Sequence, residues 1–530
     1  MRHTATGGDP ANPSTPPSWT PAYASLSACS QRGYPQVLFE TETMIPAPAG
    51  PRIGSEVLHA SNTWTAALRY WVGRSDAAVI TPQATWSGAE LISHAAGAAA
   101  HLSALTDSSA PIPALLTATA GNLAYVIGGA SASRPLAPLG TRHTPWELGP
   151  VVDALHAEVL LADMESEPLA QAIAADRALR VVVIDEPEQR TTPLEFAKHA
   201  NSVAFVLHTS GTTGLPKPVA FREDRLVART RVNVAVCSFG PGSVYASASP
   251  FHHIAGLGNY AVALAAGAAV APIPRFSVKD WSGLAGIGVT HALTVPTVLE
   301  MLLDAGVLAL PDLHTLTYGA APIHPALLDR VLAELPRLNL VNLFGQTEGS
   351  PITCLGPEDH RRIRSEGRSE LLTSVGVAAP GVDLQIAKPD ATGVGEVIAR
   401  AAHFCGADPD GWLRTGDLGC LRDGYLYLSG RLGDKIIRGG ENVYPAEVEN
   451  VLLSHPLVRD AAVIGISDPK FGQVVKAVIV SRDVGSPPDF DALRAYTRER
   501  LAGFKVPAVW EAVGELPRSP TGKVLRRSLI

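Results

Sequence analysis

Cysteine is scarce in this 530-residue chain: Cys29, Cys237, Cys354, Cys405 and Cys420 stand far apart, with no Cys-x-x-Cys pair. That leaves no spacing for a zinc or dithiol site and suits a reducing cytoplasm. Long apolar runs are missing as well. The most apolar stretch, residues 261–271, is rich in Ala and Gly, too short to cross a bilayer, and closed by Pro272. The segment after Met1 runs through Gly, Pro, Ser and Thr without the apolar core of a secretory signal. A soluble, cytoplasmic protein without a membrane span is expected. Nor does one sign of charge dominate, since 43 Lys and Arg against 50 Asp and Glu leave a formal net charge of −7. No global field draws in nucleic acid or an anionic membrane, so no nucleic-acid partner is expected, although local basic pockets remain open.

What is present is globular. Hydrophobic residues make up 46% and charged residues 18%, a composition that folds rather than stays disordered, and the length allows two or three domains. Residues 1–30 carry Pro10, Pro13, Pro16, Pro17 and Pro21 among small polar residues and read as a flexible leader. Ser87 and Glu90 make a capping-box spacing ahead of Leu91, Ala95, Ala98, Leu102 and Leu105, one apolar helix face. Thr144, Pro145 and Glu147 repeat the device ahead of Val151, Val152 and Leu155. Apolar runs at 159–161, 181–184, 203–207, 269–273, 292–295, 313–318 and 338–344 mostly alternate with helical segments, which predicts an α/β fold of largely parallel, buried strands. After residue 430 the texture changes to a helix at 446–453, strands at 461–466 and 474–480, a helix at 490–501 and a strand near Val509. That is a compact α+β unit large enough to fold alone.

The stretch richest in chemistry is Thr209-Ser210-Gly211-Thr212-Thr213-Gly214-Leu215-Pro216-Lys217, directly after a buried strand. Glycines let backbone N–H groups approach phosphate oxygens, hydroxyls add donors, and lysine brings a mobile positive charge. A Walker loop would need Gly, then Lys, then Ser or Thr, whereas Lys217 lies between Pro216 and Pro218. Further segments follow in order: Tyr318-Gly319-Ala320-Ala321-Pro322, Asn342-Leu343-Phe344-Gly345-Gln346-Thr347-Glu348, Thr415-Gly416-Asp417 and Gly430-Arg431-Leu432-Gly433-Asp434-Lys435. Gly439-Gly440-Glu441-Asn442-Val443-Tyr444-Pro445 and Pro517-Arg518-Ser519-Pro520-Thr521-Gly522-Lys523 complete the set. In order and spacing, over residues 60–530, they resemble the acyl-adenylate-forming (AMP-binding) superfamily: acyl- and aryl-CoA synthetases, adenylation domains of peptide synthetases, and luciferases.

The resemblance implies an α/β fold with a large, multi-subdomain N-terminal domain of mostly parallel sheets and a small mobile α+β C-terminal domain. It divides the chain into an ATP- and acid-binding adenylation domain at 31–430, a hinge at 431–434 and a rotating domain at 435–530. It assigns 209–217 to the phosphates, Gly319, Ala320, Ala321, Phe344 and Gly345 to the adenine side, and Thr347 and Glu348 to the α-phosphate and Mg2+. Asp417 and Arg431 fall to the ribose or a phosphate, His253 to a gate beside the carboxylate, Gly439 and Gly440 to a thiol tunnel, and Lys523 to catalysis. The residue types suit those tasks. A carboxylate is an oxygen ligand for a hard ion, an aromatic face can stack on a base, and an ammonium between two anions offsets their repulsion. Taken singly, Phe344 also reads as core, Thr415-Gly416-Asp417 as a surface turn and Arg431 as a solvated side chain.

Adjacent His252 and His253 lack a third ligand and make no metal site. The run His360-Arg361-Arg362-Ile363-Arg364 reads as a solvated basic loop. Pro218, the Phe221-Arg222 pair, Ala255 and Gly433 depart from the pattern usual at those places. The expected activity is ATP-dependent activation of a carboxylic acid as an acyl-adenylate, then transfer to the CoA thiol, with ATP, Mg2+ and CoA as cofactors and cosubstrate. Alternatives keep adenylation but use a carrier-protein thiol, an amine or a non-carboxylate oxyacid, or abandon catalysis for a nucleotide-binding scaffold.

Overall fold

A computed structural model describes residues 53–209, 216–438, 441–483, 489–518 and 524–529, so the 1–30 leader lies outside the described residues. Both capping boxes form. Ser87 Oγ accepts from Glu90 N at 3.2 Å while Glu90 accepts from Ser87 N at 2.7 Å, and Thr144 and Glu147 do the same at 3.3 and 2.7 Å. The first box opens the helix Gly88–Leu105, which crosses the helix Ala120–Ser131 on small residues. A Cβ added to Gly128 would lie 2.6 Å from the Ala95 carbonyl oxygen, so the approach depends on the absent side chain.

Among the described residues the strands form four sheets. Six strands make one, in the order Arg180–Ile184, Val159–Asp163, Ile112–Leu115, Leu136–Pro138, Val203–Thr209, Lys217–Arg222. Nine make another, whose middle runs Gly349–Leu355, Asn339–Gln346, Thr315–Gly319, His291–Thr294, Val244–Ser247, Ala269–Ala271. Both are parallel in the interior, as the apolar runs predict. Each carries an antiparallel hairpin, Val203–Thr209 with Lys217–Arg222 and Asn339–Gln346 with Gly349–Leu355.

A four-stranded antiparallel sheet follows, Asp383–Ala387, Gly395–Arg400, Leu413–Arg422 and Tyr425–Arg431, which the reading of apolar runs does not separate. The smaller C-terminal domain pairs Val458–Asp468 with Gly472–Ser481 and lays Val509–Ala512 parallel to the latter. Its own core includes Ile436, Val448, Leu452, Val463, Val475, Ile479 and Leu493. The architecture is thus α/β, with a large N-terminal domain built on parallel sheets and a smaller C-terminal one. None of the helices among the described residues is long and apolar enough to cross a membrane.

The 360–364 run is not a loop. It lies in the helix Pro357–Ser365 with His360 and Ile363 buried, while Arg361, Arg362 and Arg364 pair with Glu358, Glu366 and Asp329. The arginines cover the outer face because their apolar neighbour and the imidazole turn inward.

A buried carboxyl links the N-terminal helices to the first hairpin. Glu223 Oε2 accepts from Thr65 N at 2.8 Å and Thr65 Oγ1 at 3.1 Å, Oε1 has no partner among the described residues, and burial pushes its pKa up to about 7. An unfolded glutamate titrates near pH 4.3, and each tenfold change in proton affinity is worth about 1.4 kcal/mol. The folded state therefore binds the extra proton between those values, and its stabilising effect is lost as pH rises toward 7. Between pH 5 and pH 8 the wild-type chain is expected to lose about 2–3 kcal/mol relative to Glu223→Gln, read from urea unfolding at both pH values. Parallel pH dependences in the two proteins would show that the carboxyl ionises freely.

Candidate active site

The two antiparallel hairpins meet where the strand ending at Thr209 reaches the turn that carries Glu348. In the first, Thr209 ends its strand opposite the exposed Lys217, and the intervening Ser210, Gly211, Thr212, Thr213 and Gly214 lie outside the described residues. In the second, Gln346 pairs with Gly349, leaving Thr347 and Glu348 as the two-residue turn. Thr209 Oγ1 donates to Glu348 Oε1 at 3.4 Å across the junction. The Glu348 carbonyl is clamped by the N–H groups of Cys405 at 2.7 Å and Gly406 at 3.2 Å. These two backbone donors carry no side-chain motif, so sequence reading misses them.

Next to this turn, the strand Thr315–Gly319 runs parallel to Asn339–Gln346 with Gly319 opposite Leu343. A Cβ on Gly319 would fall 2.3 Å from the Leu343 carbonyl oxygen, so any side chain there would part the strands. Ala320 follows at φ +65°, a left-handed conformation that costs a residue bearing a Cβ and that clusters at functional sites. Phe344 is half-buried and packs against the cluster of Ile352, Ala399, Phe404 and Leu413, so its core role and an open face coexist.

Tyr318, one residue before Gly319, donates its hydroxyl proton to His360 Nε2 at 2.8 Å. His360 Nδ1 in turn donates to the Gly356 carbonyl at 2.7 Å, the tautomer that satisfies both contacts. Burial holds this imidazole down to about 4, so it stays neutral near pH 7 and braces the strand end.

Asp417 and Arg431 face each other in register on neighbouring strands, with Arg431 Nε 2.8 Å from Asp417 Oδ1. Asp417 is buried, at 8% exposure. Beyond Arg431, Leu432 N donates to the Gly416 carbonyl at 2.8 Å and Asp434 N to the Arg431 carbonyl at 3.0 Å. Gly439, Gly440 and Lys523 lie outside the described residues. The segment carrying Lys523 is flanked by Leu525 N bonded to the Pro517 carbonyl at 2.8 Å. Arg526 holds Glu449 at 2.7 and 2.8 Å.

His253 precedes a short π-helical turn, Ile254–Gly258, a form that recurs at functional sites. Burial, then the charge of His143, push its pKa down to about 4, so its imidazole is neutral near pH 7. Its ring centroid lies 4.2 Å from that of His252, which stands 5.8 Å from His143. Among the described residues no three His, Cys, Asp or Glu side chains are grouped to hold a metal ion.

Below this turn sits a residue that sequence reading passes over. Arg229, 4% exposed, donates from Nη1 to the Gly258 carbonyl at 3.0 Å, from Nη2 to Asn259 Oδ1 at 2.8 Å and from Nε to the Ser350 carbonyl at 2.9 Å. An open cavity of about 520 Å³ lined in part by Ser103, Ser131, Arg190, Lys198 and His199 holds none of the motif residues. The candidate chemistry therefore gathers where Thr209 meets the turn of Glu348.

The profile of the AMP-binding enzyme family matches residues 71–404, and that of the AMP-binding enzyme C-terminal domain matches 447–523. A fatty acid–[acyl-carrier-protein] ligase of Streptomyces coeruleorubidus is 32% identical over 440 residues, covering 76% of this chain and 83% of that protein. A feruloyl-CoA synthase of Amycolatopsis sp is 33% identical over 410 residues, 73% of this chain and 82% of that one. The solved structure of the amide bond synthetase McbA from Marinactinospora thermotolerans shares the fold with a TM-score of 0.79 at 27% identity, covering 88% of this chain and 99% of that chain. The chain belongs to the AMP-binding enzyme family, the ATP-dependent ligases that form acyl-adenylates.

Proposed function

We propose that this chain is an AMP-forming acid:CoA ligase acting on an aryl or medium-length acyl acid. One observation carries the reading: a hydroxyl at the end of a strand of one sheet and a carboxylate on a turn of another meet at Thr209 and Glu348, and Ala320 is strained after the strand paired with Asn339–Gln346. In the first half-reaction a substrate carboxylate oxygen attacks the α-phosphorus of ATP, a P–O bond forms, and pyrophosphate leaves with the electrons of the broken bond. Both reactants are anionic, so alignment and fixed donors supply the acceleration.

Glu348 and the Thr209 hydroxyl form an oxygen-only donor pair, and Mg2+ binds through one or two carboxylates together with substrate phosphates, so these residues fit that ion. When bound, it would neutralise phosphate charge. The 209–217 loop cradles the leaving phosphates, Thr347 offers its hydroxyl to the α-phosphate, and Gly319, Ala320, Ala321, Phe344 and Gly345 flank the base. Asp417 accepts from the ribose hydroxyls while Arg431 orients it. Neutral His253 closes the acid pocket without adding a charge. Lys523 bridges the two anions.

In the second half-reaction the domain at 435–530 turns about residues 431–434, withdraws Lys523 and brings Gly439 and Gly440 to the acyl carbon. The CoA thiolate attacks that carbon, a C–S bond forms, and AMP leaves. The feruloyl-CoA synthase relative supports an aryl acid and a CoA acceptor. The carrier-protein ligase and the amide synthetase keep a second reading in play, in which another thiol or an amine receives the acyl group. Pyrophosphate release across aryl, cinnamoyl-type, fatty, amino and inorganic oxyacids, each with and without CoA, separates them. A thioester mass that appears only with CoA upholds the first reading, and product formation indifferent to CoA overturns it.

Two variants probe the machinery. Lys523→Ala is expected to lower pyrophosphate release by at least about a hundredfold, the scale of one lost transition-state donor, while thioester formation from supplied acyl-adenylate largely survives. Release near the wild-type rate would remove Lys523 from catalysis. Gly433→Pro fixes φ near −65° at the proposed pivot, so the two half-reactions should be damaged unequally. A folded variant with both rates intact would place the pivot elsewhere.

A further inference from the structure

Arg229 stands out among the described residues as a guanidinium buried to 4% exposure whose three named partners are neutral oxygens. Burial is the largest influence on it, followed by the neighbouring Cys405, Tyr245 and Cys237. Burial pushes its pKa down to about 10, so it keeps its charge near pH 7. A buried charge without a counter-charge is expensive, and packing alone would be served by an apolar side chain of similar volume. What an apolar side chain could not do is satisfy oxygens on three separate residues.

Those oxygens belong to two places that the sequence holds far apart. Gly258 and Asn259 end the π-helical turn that begins after His253, and Ser350 lies two residues after Glu348. His403 Nε2 donates to the next carbonyl, Pro351, at 2.9 Å, so the Ser350 side of the junction is braced from behind. On the turn side a Cβ on Gly258 would already lie 3.1 Å from the Arg229 guanidinium, so the arginine itself fills the place of a brace there. The planar fork of arginine can hold such divergent acceptors at fixed angles, which the point charge of lysine cannot.

We propose that Arg229 is a positioning residue that ties the wall of the acid pocket to the turn carrying Glu348, so that occupation of the nucleotide side is felt at the acid side. The inference rests on the adenylation reading above. It touches neither reactant. Its work is to keep the two half-sites in one register, where a displacement of about 1 Å costs roughly a hundredfold in rate.

Hydrogen exchange on the full chain tests it, with Mg-ATP as the probe. In the wild-type chain Mg-ATP is expected to slow exchange at residues 347–353 and also at 254–259. In Arg229→Lys the first protection persists and the second falls by about tenfold, the scale of one lost charged hydrogen bond. A merely structural arginine would loosen both segments without uncoupling them. Equal protection of 254–259 in the two proteins, or none there in the wild type while 347–353 is protected, overturns the proposal. If Mg-ATP protects neither segment, the nucleotide reading itself fails and the coupling falls with it, an outcome distinct from protection of 347–353 alone. Faster exchange at both segments in the variant with their Mg-ATP protection unchanged marks a merely structural arginine and also overturns the proposal. Should Arg229→Lys fail to fold, Asn259→Ala removes one acceptor only and is expected to weaken the protection of 254–259; unchanged protection counts against the clamp.

Discussion

The candidate site depends on a strand end and a turn that no covalent connection holds together. Thr209 belongs to the six-stranded sheet and Glu348 to the nine-stranded one, and their 3.4 Å contact is weak as a hydrogen bond. Its geometry is held by what lies behind it. The Cys405 and Gly406 amides fix the Glu348 carbonyl, and a Cβ on Gly406 would press to 3.0 Å from the Glu348 side chain. Arg229 holds the chain two residues further on. Because each brace comes from a different element, the turn is over-determined, the condition under which a site can keep strained backbone such as Ala320.

Much of the fold was legible because buried parallel strands leave near-continuous apolar runs. Val203–Thr209 and Asn339–Gln346 lie where those runs predict them, and both capping boxes form at the residues that signal them. What escaped was the antiparallel sheet Asp383–Arg431, whose first strand alternates exposed and half-buried residues and so leaves no apolar run. The helix Pro357–Ser365 escaped for a related reason: its three arginines mask a two-residue buried face. The motifs located the turns but not their supports. Backbone amides at Cys405 and Gly406 leave no trace in side-chain identity, and Arg229, one of three arginines in the helix Glu223–Cys237, reads as a solvated charge until burial is known.

Charge is distributed with restraint around the junction. His253, His360 and His403 are all pushed down to about 4 by burial, and each is therefore a neutral donor or spacer. Arg431 is committed to Asp417, and Arg229 directs its donors to carbonyl and amide oxygens. In the proposed reaction two anions must be brought together, and neutral imidazoles permit their approach without holding the product pyrophosphate or the adenylate too tightly. In the proposal the decisive cation, Lys523, comes from the C-terminal domain, which would make its arrival and departure a step that can be timed.

That timing has a structural counterpart at Gly433. On one side, Arg431 is tied to Asp417, and Leu432 N to the Gly416 carbonyl, so the chain up to residue 432 is continuous with the antiparallel sheet. On the other side, Asp434 lies 3.5 Å from Arg526, which also grips Glu449 of the C-terminal domain. The anchors therefore divide between the two domains at a single residue. A Cβ built on Gly433 would meet nothing within 4 Å, so packing does not demand glycine there in this arrangement. Freedom of φ and ψ is the remaining physical reason for it. A turning domain would keep the Arg431 pair and the Arg526 cluster each intact while it gives up the Asp434 N to Arg431 carbonyl bond and the 3.0 Å bond from the Tyr444 hydroxyl to Asp390, so the cost of the motion falls on contacts close to the pivot.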